Sequence, residues 1–271
     1  MVFFNVGKAD AAFVKPPGSP GLMIDAGMRT PYFDAASSIL IPYFERLGIY
    51  ALDGILISHP QTDHMGGVLS LIQRAAPRRL WWNPVAARSS LLEEILIESH
   101  CSAVQILPAD RTRPPVRIGN AILRFLNPPG GEIRNGQFFG NLNNASVVCR
   151  LEYGSISFLF TGDIEHEAEE ELLASGMPLR ASVLKVAHHG CKSSTSASFL
   201  EAVRPRIAVI SCDDYPGRPC PDAEVRRRLR AVGADILWTG RDGAVTMQTD
   251  GERLTARIGR GKRHILVEGT G

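Results

Sequence analysis

Short apolar runs, regularly interrupted by turn residues, dominate the chain and predict β-strands. Apolar residues at helical spacing fill several intervals between them and predict amphipathic helices. The predicted strands are 2–6, 22–25, 54–58, 121–126, 146–152, 155–161, 183–187, 207–211, 235–239 and 244–249. The predicted helices are 37–47, 67–74, 91–99, 165–174, 197–202 and 222–231. Strands mixed with helices in this way indicate a layered α/β or α+β domain whose sheets are covered by helices.

Turn residues also organise the connections. Tyr153 and Gly154 separate two predicted strands, which we therefore expect to form a hairpin. The stretch 108–140 is rich in Pro, Gly, Asn and Arg, and we expect most of it to be a surface loop, because strand patterns resume on both sides. The sequence has no internal repeat, and a single domain over 1–271 is the simplest organisation.

Composition excludes several classes of protein. The chain has 271 residues, of which 44% are hydrophobic and 21% are charged, which is typical of a globular protein and not of a disordered one. No apolar run approaches the roughly 18 residues of a membrane span, and the amino terminus lacks the basic and apolar regions of a signal peptide. The net charge of +2 does not by itself indicate a nucleic-acid binder, although a local basic patch is compatible with it.

The five cysteines are scattered along the chain and form no Cys-x-x-Cys pair. We therefore expect reduced, partly buried thiols, and we do not expect structural zinc on cysteine ligands.

The densest group of reactive side chains follows the predicted strand 54–58. His59, Asp63 and His64 lie close together there, Pro60 stiffens the loop, and two glycines let the backbone turn before a helix. Imidazole and carboxylate groups that converge on one short loop are the ligands of first-row divalent metals. The loop therefore predicts a metal site; the alternative is a turn whose polar residues merely cap the helix.

Two further predicted strands end in side chains of the same kind. Asp163 follows the strand 155–161, where it is either a ligand or the N-cap of the next helix. His188 and His189 follow the strand 183–187, and because neighbours on an extended backbone point to opposite sides, we expect at most one of them to be a direct ligand. Active sites of α/β folds gather at strand ends, so we expect these loops to share one cleft.

A hydroxyl-rich turn at 193–196 follows the two histidines. Its hydroxyls can donate hydrogen bonds to a phosphate or, alternatively, cap the next helix. Lys185 and Lys192 add positive charge on either side of the histidines.

Six short segments of the chain follow one another in the same order as the motifs of a known protein family. They are Asn-Val-Gly-Lys-Ala-Asp-Ala at 5–11, Met-Ile-Asp-Ala-Gly at 23–27, the loop 58–67, Asn-Asn-Ala-Ser at 143–146, Thr-Gly-Asp at 161–163 and His-His-Gly at 188–190. In these segments the chain resembles the metallo-β-lactamase superfamily, and more narrowly the C-terminal hydrolase-like domain of the ComEC/Rec2 competence DNA-uptake proteins. The resemblance covers roughly residues 2–250 and implies an α/β fold, a four-layer αββα sandwich, with one or two Zn²⁺ or Mn²⁺ ions.

The resemblance, together with the loops described above, assigns roles to particular residues. The expected metal ligands are His59, Asp63, His64, Asp163 and His189. The expected catalytic residues are Asp63, which orients or deprotonates water, and His188, His189 and Lys185, which stabilise charge on phosphate oxygens. The expected substrate-binding residues are Asn144, Ser193, Ser194 and Arg218.

The chain also departs from the family pattern. Gln61 stands where the family has His or Asp, and Arg218 stands where a His-Pro element is expected; neither side chain is a good metal ligand. The opening segment has Asn5 and Lys8 in place of Asp and Gln. Two divalent ions carry four positive charges, against two negative charges from the carboxylates assigned as ligands. We therefore expect one tightly bound ion, weak binding of two, or a partly vestigial site.

Three functions remain in competition. The first is a metal-dependent hydrolase, most directly a phosphodiesterase or nuclease acting on DNA or RNA. The second is a non-catalytic descendant that binds nucleic acid or a partner through Arg218 and the basic run 226–230, although such a run is also typical of a solvated helix face. The third is a hydrolase of another ester, a thioester or a lactam.

ComEC-like proteins carry this domain beside a membrane channel, which this chain lacks. A stand-alone chain is expected in the cytoplasm, and an excised domain in a membrane protein. The sequence does not determine the oligomeric state.

Overall fold

The computed structural model describes residues 1–84, 89–130, 141–215, 217, 220–260 and 264–268, except for the side chain of His264. The strands are β1 (Val2–Phe3), β2 (Ala11–Val14), β3 (Leu22–Ala26), β4 (Arg29–Thr30), β5 (Phe33–Asp34), β6 (Gly54–Leu56), β7 (Arg79–Trp82), β8 (Gln105–Pro108), β9 (Val116–Ile118), β10 (Ala121–Asn127), β11 (Val148–Tyr153), β12 (Ile156–Phe160), β13 (Val183–Lys185), β14 (Ile207–Ile210), β15 (Asp235–Trp238), β16 (Val245–Thr249), β17 (Arg253–Ile258) and β18 (His264–Glu268). The helices are α1 (Ile41–Arg46), α2 (Thr62–Met65), α3 (Val68–Ala75), α4 (Ser90–Cys101), α5 (His166–Ala174), α6 (Ala197–Val203), α7 (Ala223–Ala231) and α8 (Thr239–Asp242). A π-helical turn, Ala36–Leu40, leads into α1, and a 3₁₀ turn, Ala187–Gly190, follows β13.

Two large mixed sheets form the centre of the fold. The first sheet has the order β18-β17-β16-β1-β2-β3-β6-β7-β8 and the second has the order β15-β14-β13-β12-β11-β10-β9. In the first sheet β3, β6, β7 and β8 are parallel, and in the second sheet β12, β13, β14 and β15 are parallel. Each sheet therefore has one parallel half, and the loops that leave the carboxyl ends of these strands carry the predicted metal ligands.

Apolar side chains on both faces of each sheet produce four layers. The two sheets enclose one cluster, to which Phe3 and Phe160 contribute from opposite sheets. Helices α1, α3 and α4 cover the outer face of the first sheet, and α5, α6 and α7 cover that of the second. Strand β13 shows the reason: Val183 packs between the sheets and Leu184 packs under the helices, so the strand is apolar on both of its faces there. This architecture confirms the predicted α/β class and αββα sandwich.

Most predicted elements are present, with ends shifted by a few residues. The hairpin across Tyr153 and Gly154 is confirmed, because β11 and β12 pair antiparallel. The prediction of loop for most of 108–140 was partly wrong, because β9 lies in that stretch and pairs with β10; residues 131–140 lie outside the described part of the chain. The strands that were not predicted also include β2, β4, β5, β7, β8, β17 and β18.

Within the described residues, no helix has both the length and the apolar character needed to cross a membrane.

Candidate metal centre

The predicted ligand side chains of both sheets meet at the carboxyl ends of the parallel strands. Ligand atoms of His59, His64 and Asp163 lie within 4.8 Å of one another, and so do those of Asp63, His64 and His189. The His64 Nε2 atom is 3.3 Å from Asp163 Oδ2, and His189 Nε2 is 3.5 Å from the same oxygen. Asp163 therefore lies between two histidines that come from different sheets. The three loops share one cleft, as the sequence predicted.

Several ligand atoms of this cluster have no hydrogen-bond partner among the described residues. They are the Nε2 atoms of His59, His64 and His189 and the Oδ1 atom of Asp163, and all are buried. A buried polar group without a partner costs about 1–3 kcal/mol, so proteins rarely leave several together. Three imidazole nitrogens beside carboxylate oxygens are a suitable donor set for a divalent cation such as Zn²⁺ or Mn²⁺. The residues present therefore fit the metal that the fold implies.

The alternative reading of these loops as helix caps does not fit. The N-cap residue of α2 is Gln61, whose side chain makes no capping hydrogen bond. Helix α5 begins after Glu165, and the Asp163 side chain is directed into the cluster instead. The polar side chains are thus held at a buried centre that helix capping does not explain.

A buried carboxylate that sequence reasoning did not assign orients two of the histidines. Asp25 Oδ2 accepts a hydrogen bond from His64 Nδ1 at 2.8 Å and another from Ser58 Oγ at 2.7 Å, while Asp25 Oδ1 accepts from the Ser58 amide at 2.7 Å. Ser58 Oγ is also 3.1 Å from His59 Nδ1. Because Asp25 holds a proton on His64 Nδ1, Nε2 is the ring nitrogen that faces the cluster.

Asp10 is the second carboxylate that was missed. Its side chain forms a buried ion pair with Lys185, which reaches it from the opposite sheet. Asp10 Oδ1 has no hydrogen-bond partner among the described residues and lies 3.7 Å from His189 Nδ1. The centre therefore contains two buried carboxylates in addition to Asp63 and Asp163. Lys185 neutralises the charge of Asp10, so the net negative charge exceeds the sequence count by that of Asp25 alone.

Lys185 does not lie where we expected a substrate-binding charge. Lys185 is 4% exposed, and its ammonium group forms a buried ion pair with Asp10. The reason is strand alternation: on β13, Lys185 occupies an inward position two residues after Val183. Direct contact between Lys185 and a phosphate is thus not supported, and the side chain compensates the charge of Asp10.

The two adjacent histidines separate as predicted, but not for the predicted reason. Both have left-handed backbone conformations, with φ of 50° at His188 and 54° at His189, instead of an extended one. His189 Nδ1 donates to the Ser211 carbonyl at 2.9 Å, which leaves Nε2 directed into the cluster. His188 instead lies at the rim, where its Nδ1 is 3.2 Å from Glu165 Oε1.

The cluster perturbs the protonation of its members. Burial, with the nearby charge of His64, lowers the pKa of His59 to about 4, so this ring is neutral at neutral pH. Burial also tends to lower the pKa of His64, but the carboxylates of Asp163 and Asp25 outweigh it and raise that pKa well above its ordinary value. For Asp63, burial tends to raise the pKa, but His189, whose Nε2 atom is 3.3 Å from Asp63 Oδ2, and the charge of His64 outweigh this effect, and the pKa falls to about 2. Asp63 is therefore ionised at neutral pH.

Two of the predicted substrate-binding residues, Asn144 and Ser194, are buried. Asn144 is 1% exposed; its side chain donates to Glu167 and accepts from the Glu165 amide, at the start of α5. Ser194 is fully buried, and Ser193 Oγ lies 3.4 Å from His188 Nδ1. This geometry does not favour direct substrate contact by Asn144 or Ser194, while Ser193 stays a prediction.

Within the hydroxyl-rich turn, the capping alternative applies to Ser196, whose side chain accepts a hydrogen bond from the Phe199 amide at the start of α6.

The two departures from the family pattern differ in what the structure shows. The Gln61 Nε2 atom donates to Asn143 Oδ1 at 2.8 Å, so this amide is held by the neighbouring loop. Arg218 lies outside the described residues. Within the basic run, Arg228 donates to the Thr195 carbonyl at 2.7 Å, and Arg227 pairs with Glu224 at 2.7 Å. These two arginines thus make structural contacts.

The expectation of five reduced cysteines was wrong. Cys191 and Cys220 form a disulfide, with their Cα atoms 5.0 Å apart, and Cys101, Cys149 and Cys212 are free. The two bonded residues are 29 positions apart, so no local spacing indicated the pair. They meet because the loops that follow β13 and β14 lie side by side, and the bond ties the His189 loop to its neighbour.

With this fold and site established, the chain belongs to the metallo-β-lactamase superfamily, whose family model matches residues 5–213. The chain is similar to ComE operon protein 3 of Bacillus subtilis (27% identical, over 89% of this chain and 32% of the relative) and to Recombination protein 2 of Haemophilus influenzae (28% identical, over 95% and 30%). It therefore spans about a third of the length of these relatives, and the resemblance to the ComEC/Rec2 branch is confirmed.

Among solved structures, the fold is similar to that of YhfI, a metallo-β-lactamase fold protein from Bacillus subtilis. The TM-score is 0.55 at 12% identity, with coverage of 88% of this chain and 95% of YhfI. At this identity the likeness concerns the fold alone.

Proposed function

We propose that this chain is a metal-dependent hydrolase that cleaves phosphodiester bonds in nucleic acids. The observation that carries the proposal is the buried cluster, in which three Nε2 atoms and a carboxylate oxygen converge without hydrogen-bond partners among the described residues. Buried polar atoms without partners destabilise the fold, and proteins keep such groups mainly at functional sites. The choice of nucleic acid is supported by a relative whose name assigns it to recombination, a process that acts on DNA.

The cluster contains two sets of residues, each of which could hold a cation. His59, His64 and Asp163 form one set, and Asp63, His64 and His189 form another, so His64 belongs to both. A divalent cation held there supplies Lewis acidity, which makes water more acidic near neutral pH and offsets negative charge on a phosphate. Asp25 and Ser211 keep the Nε2 atoms of His64 and His189 directed inward.

Asp63 is the member of the cluster best placed to act on water. Its side chain is 24% exposed, whereas those of His64, Asp163 and His189 are nearly inaccessible. It is ionised at neutral pH and its Oδ2 atom is 3.3 Å from His189 Nε2. We assign to Asp63 the orientation of the attacking water through a hydrogen bond to its ionised carboxylate; the lowered pKa makes this group a weak proton acceptor.

His188 is the candidate for contact with the phosphate. Its side chain is 23% exposed at the rim of the cluster and is steadied by the Glu165 carboxylate 3.2 Å away. His188 can thus contact a substrate from the same turn that positions His189. Stabilisation of negative charge by such a fixed polar group is the usual contribution of a rim residue to phosphoryl transfer.

One observation favours the second candidate, a non-catalytic descendant that binds nucleic acid. Gln61 replaces a family ligand, and its amide is bonded to Asn143 instead of entering the cluster. A site that lacks this ligand would hold one ion more readily than two. The same observation supports a weakened dinuclear site in an active enzyme, so activity itself must decide.

The deciding experiment is cleavage of a labelled single-stranded DNA oligomer by the metal-free protein reloaded with Mn²⁺ or Zn²⁺. We expect cleavage by the wild type and a loss of at least about 100-fold in Asp63→Ala, because the substitution removes the group that positions the water together with a candidate metal ligand, and correct positioning for proton transfer contributes roughly 10²–10⁴-fold. Asp250→Ala, in the turn between β16 and β17, is the matched control and should keep full activity. Equal turnover in Asp63→Ala would refute the mechanism.

Metal binding without cleavage of DNA, RNA or small esters would favour the non-catalytic descendant. Cleavage of a small ester, thioester or lactam alone would instead favour a different substrate class.

A further inference from the structure

A second cleft lies at the opposite ends of the parallel strands from the candidate metal centre. It has a volume of about 510 Å³, which is within the range of small-ligand sites. Ser157 near the start of β12, Ser182 just before β13 and Arg206 just before β14 line it. Because β12 has five residues, the cleft is separated from the loop of Asp163 by about 16 Å of strand.

Three guanidinium groups of this cleft lack a countercharge. Arg180, Arg204 and Arg206 line it, and none of them has a carboxylate within 4.0 Å among the described residues. The fourth arginine, Arg150, is already paired with Glu152. Two glutamates, Glu201 and Glu268, also line the cleft, but they form no ion pair with its arginines. The three arginines are exposed, and the lining has four arginines against two glutamates, a net charge of +2 that attracts anions from solvent.

The backbone fixes where these arginines stand. The Arg206 amide donates to the Ser182 carbonyl at 3.0 Å, and the Arg180 carbonyl accepts from Arg150 Nε at 2.9 Å. Arg204 ends α6 with a left-handed conformation, φ 48°, which a residue with a β-carbon rarely adopts. The three side chains therefore leave from fixed points on two neighbouring loops.

Two buried serines add hydrogen-bond donors to the floor of the cleft. Ser182 Oγ accepts from the Ser157 amide and Ser157 Oγ accepts from the Ser182 amide, both at 3.3 Å. Each hydroxyl oxygen is thus used as an acceptor, while no described residue accepts the hydroxyl hydrogen. Both hydrogens are available to a ligand that presents oxygen acceptors.

From this arrangement we propose that the cleft binds a phosphate-bearing anion. Guanidinium groups bind phosphate through paired N–H donors, and serine hydroxyls complete the set of donors around its oxygens. A free phosphorylated molecule and the backbone of a nucleic acid present the same group. The proposal does not depend on hydrolysis at the metal centre.

The test uses two probes, inorganic pyrophosphate and a fluorescent oligo-dT, both with a chelator present so that no metal contributes. Titration calorimetry and fluorescence anisotropy give the two affinities for the wild type, for Arg180→Ala/Arg206→Ala and for Arg46→Ala/Arg257→Ala. The last variant removes the same charge from exposed positions on α1 and β17. Circular dichroism and melting temperature establish that each variant is folded.

We expect the cleft variant to bind at least one probe tenfold or more weakly, with the control variant within twofold of the wild type. Loss of pyrophosphate binding identifies a free phosphorylated molecule as the ligand, and loss of oligo-dT binding alone identifies a nucleic-acid backbone. Absence of wild-type binding to both probes, unchanged binding in the cleft variant, or equal losses in both variants would overturn the proposal. None of these results depends on DNA cleavage, so the proposed function is tested separately.

Discussion

Replacement of Asp25 by asparagine should weaken metal binding without contact between residue 25 and the metal. Asp25 accepts hydrogen bonds from His64 Nδ1, Ser58 Oγ and the Ser58 amide. An asparagine has the same shape and tolerates the left-handed conformation of this position, φ 54°. The fold should therefore persist while the charge and one acceptor are lost.

The chemical consequence falls on His64. If the introduced asparagine keeps its oxygen toward the Ser58 amide, its NH₂ group faces His64 Nδ1, which must then accept instead of donate. The ring proton moves to Nε2, the atom that faces the cluster, and blocks it as a ligand. Loss of such a supporting partner costs 10–100-fold in metal affinity, which corresponds to about 1.4–2.7 kcal/mol.

Competition with a chromophoric chelator measures this change for Mn²⁺ and Zn²⁺. The control is Asp250→Asn, which leaves the metal cluster intact and keeps the two backbone hydrogen bonds of its turn. We expect a 10–100-fold weaker Kd in Asp25→Asn and an unchanged Kd in the control. A change of less than twofold in a folded Asp25→Asn protein would refute the assignment of His64 Nε2 as a ligand.

Three further predictions follow from the same geometry. Gln61→Asp should bind Mn²⁺ at least tenfold more tightly in a calorimetric titration, because it adds a carboxylate beside the cluster; an equal Kd would place residue 61 outside the coordination sphere. Metal binding should release about one proton near pH 7, since Asp163 and Asp25 raise the pKa of His64 against the effect of burial; affinity then rises with pH, and heats that do not depend on the buffer would contradict this. Cys191→Ser/Cys220→Ser should lower the free energy of unfolding by about 3.6 kcal/mol under oxidising conditions, given a loop of 29 residues; denaturant curves that coincide with the wild type would refute a stabilising disulfide.

The local sequence pattern was sufficient to predict the candidate ligands, but not the carboxylates that surround and orient them. His59, Asp63 and His64 occupy one loop, so their convergence is visible in the sequence. Asp10 pairs with Lys185 across 175 positions, and nothing in the neighbourhood of either residue signals the partner. Asp25 offered a weak signal, since it stands near the end of an apolar strand, like Asp163, and lies two positions before a glycine.

The missed strands have physical reasons as well. Strand β2 has only four residues, and two of them are alanine, which has a low strand propensity. All four residues are buried, so the strand shows no alternation of apolar and polar positions. Strand β8 is largely exposed, so burial imposes no apolar alternation on it. The left-handed histidine pair was also beyond prediction, because the β13 pattern ends before it and the 3₁₀ turn is fixed by contacts with neighbouring loops, such as that from Ser211 to His189.

The most direct test of the account is the location of a metal in crystals of the protein grown with Mn²⁺ or Zn²⁺. Anomalous scattering recorded at the absorption edge of the metal identifies its position independently of the chemical model. The account predicts a peak about 2.0–2.2 Å from the Nε2 atoms of His59 and His64 and from an Asp163 oxygen. A fully occupied peak elsewhere, or no peak at this cluster under saturating metal, would contradict it.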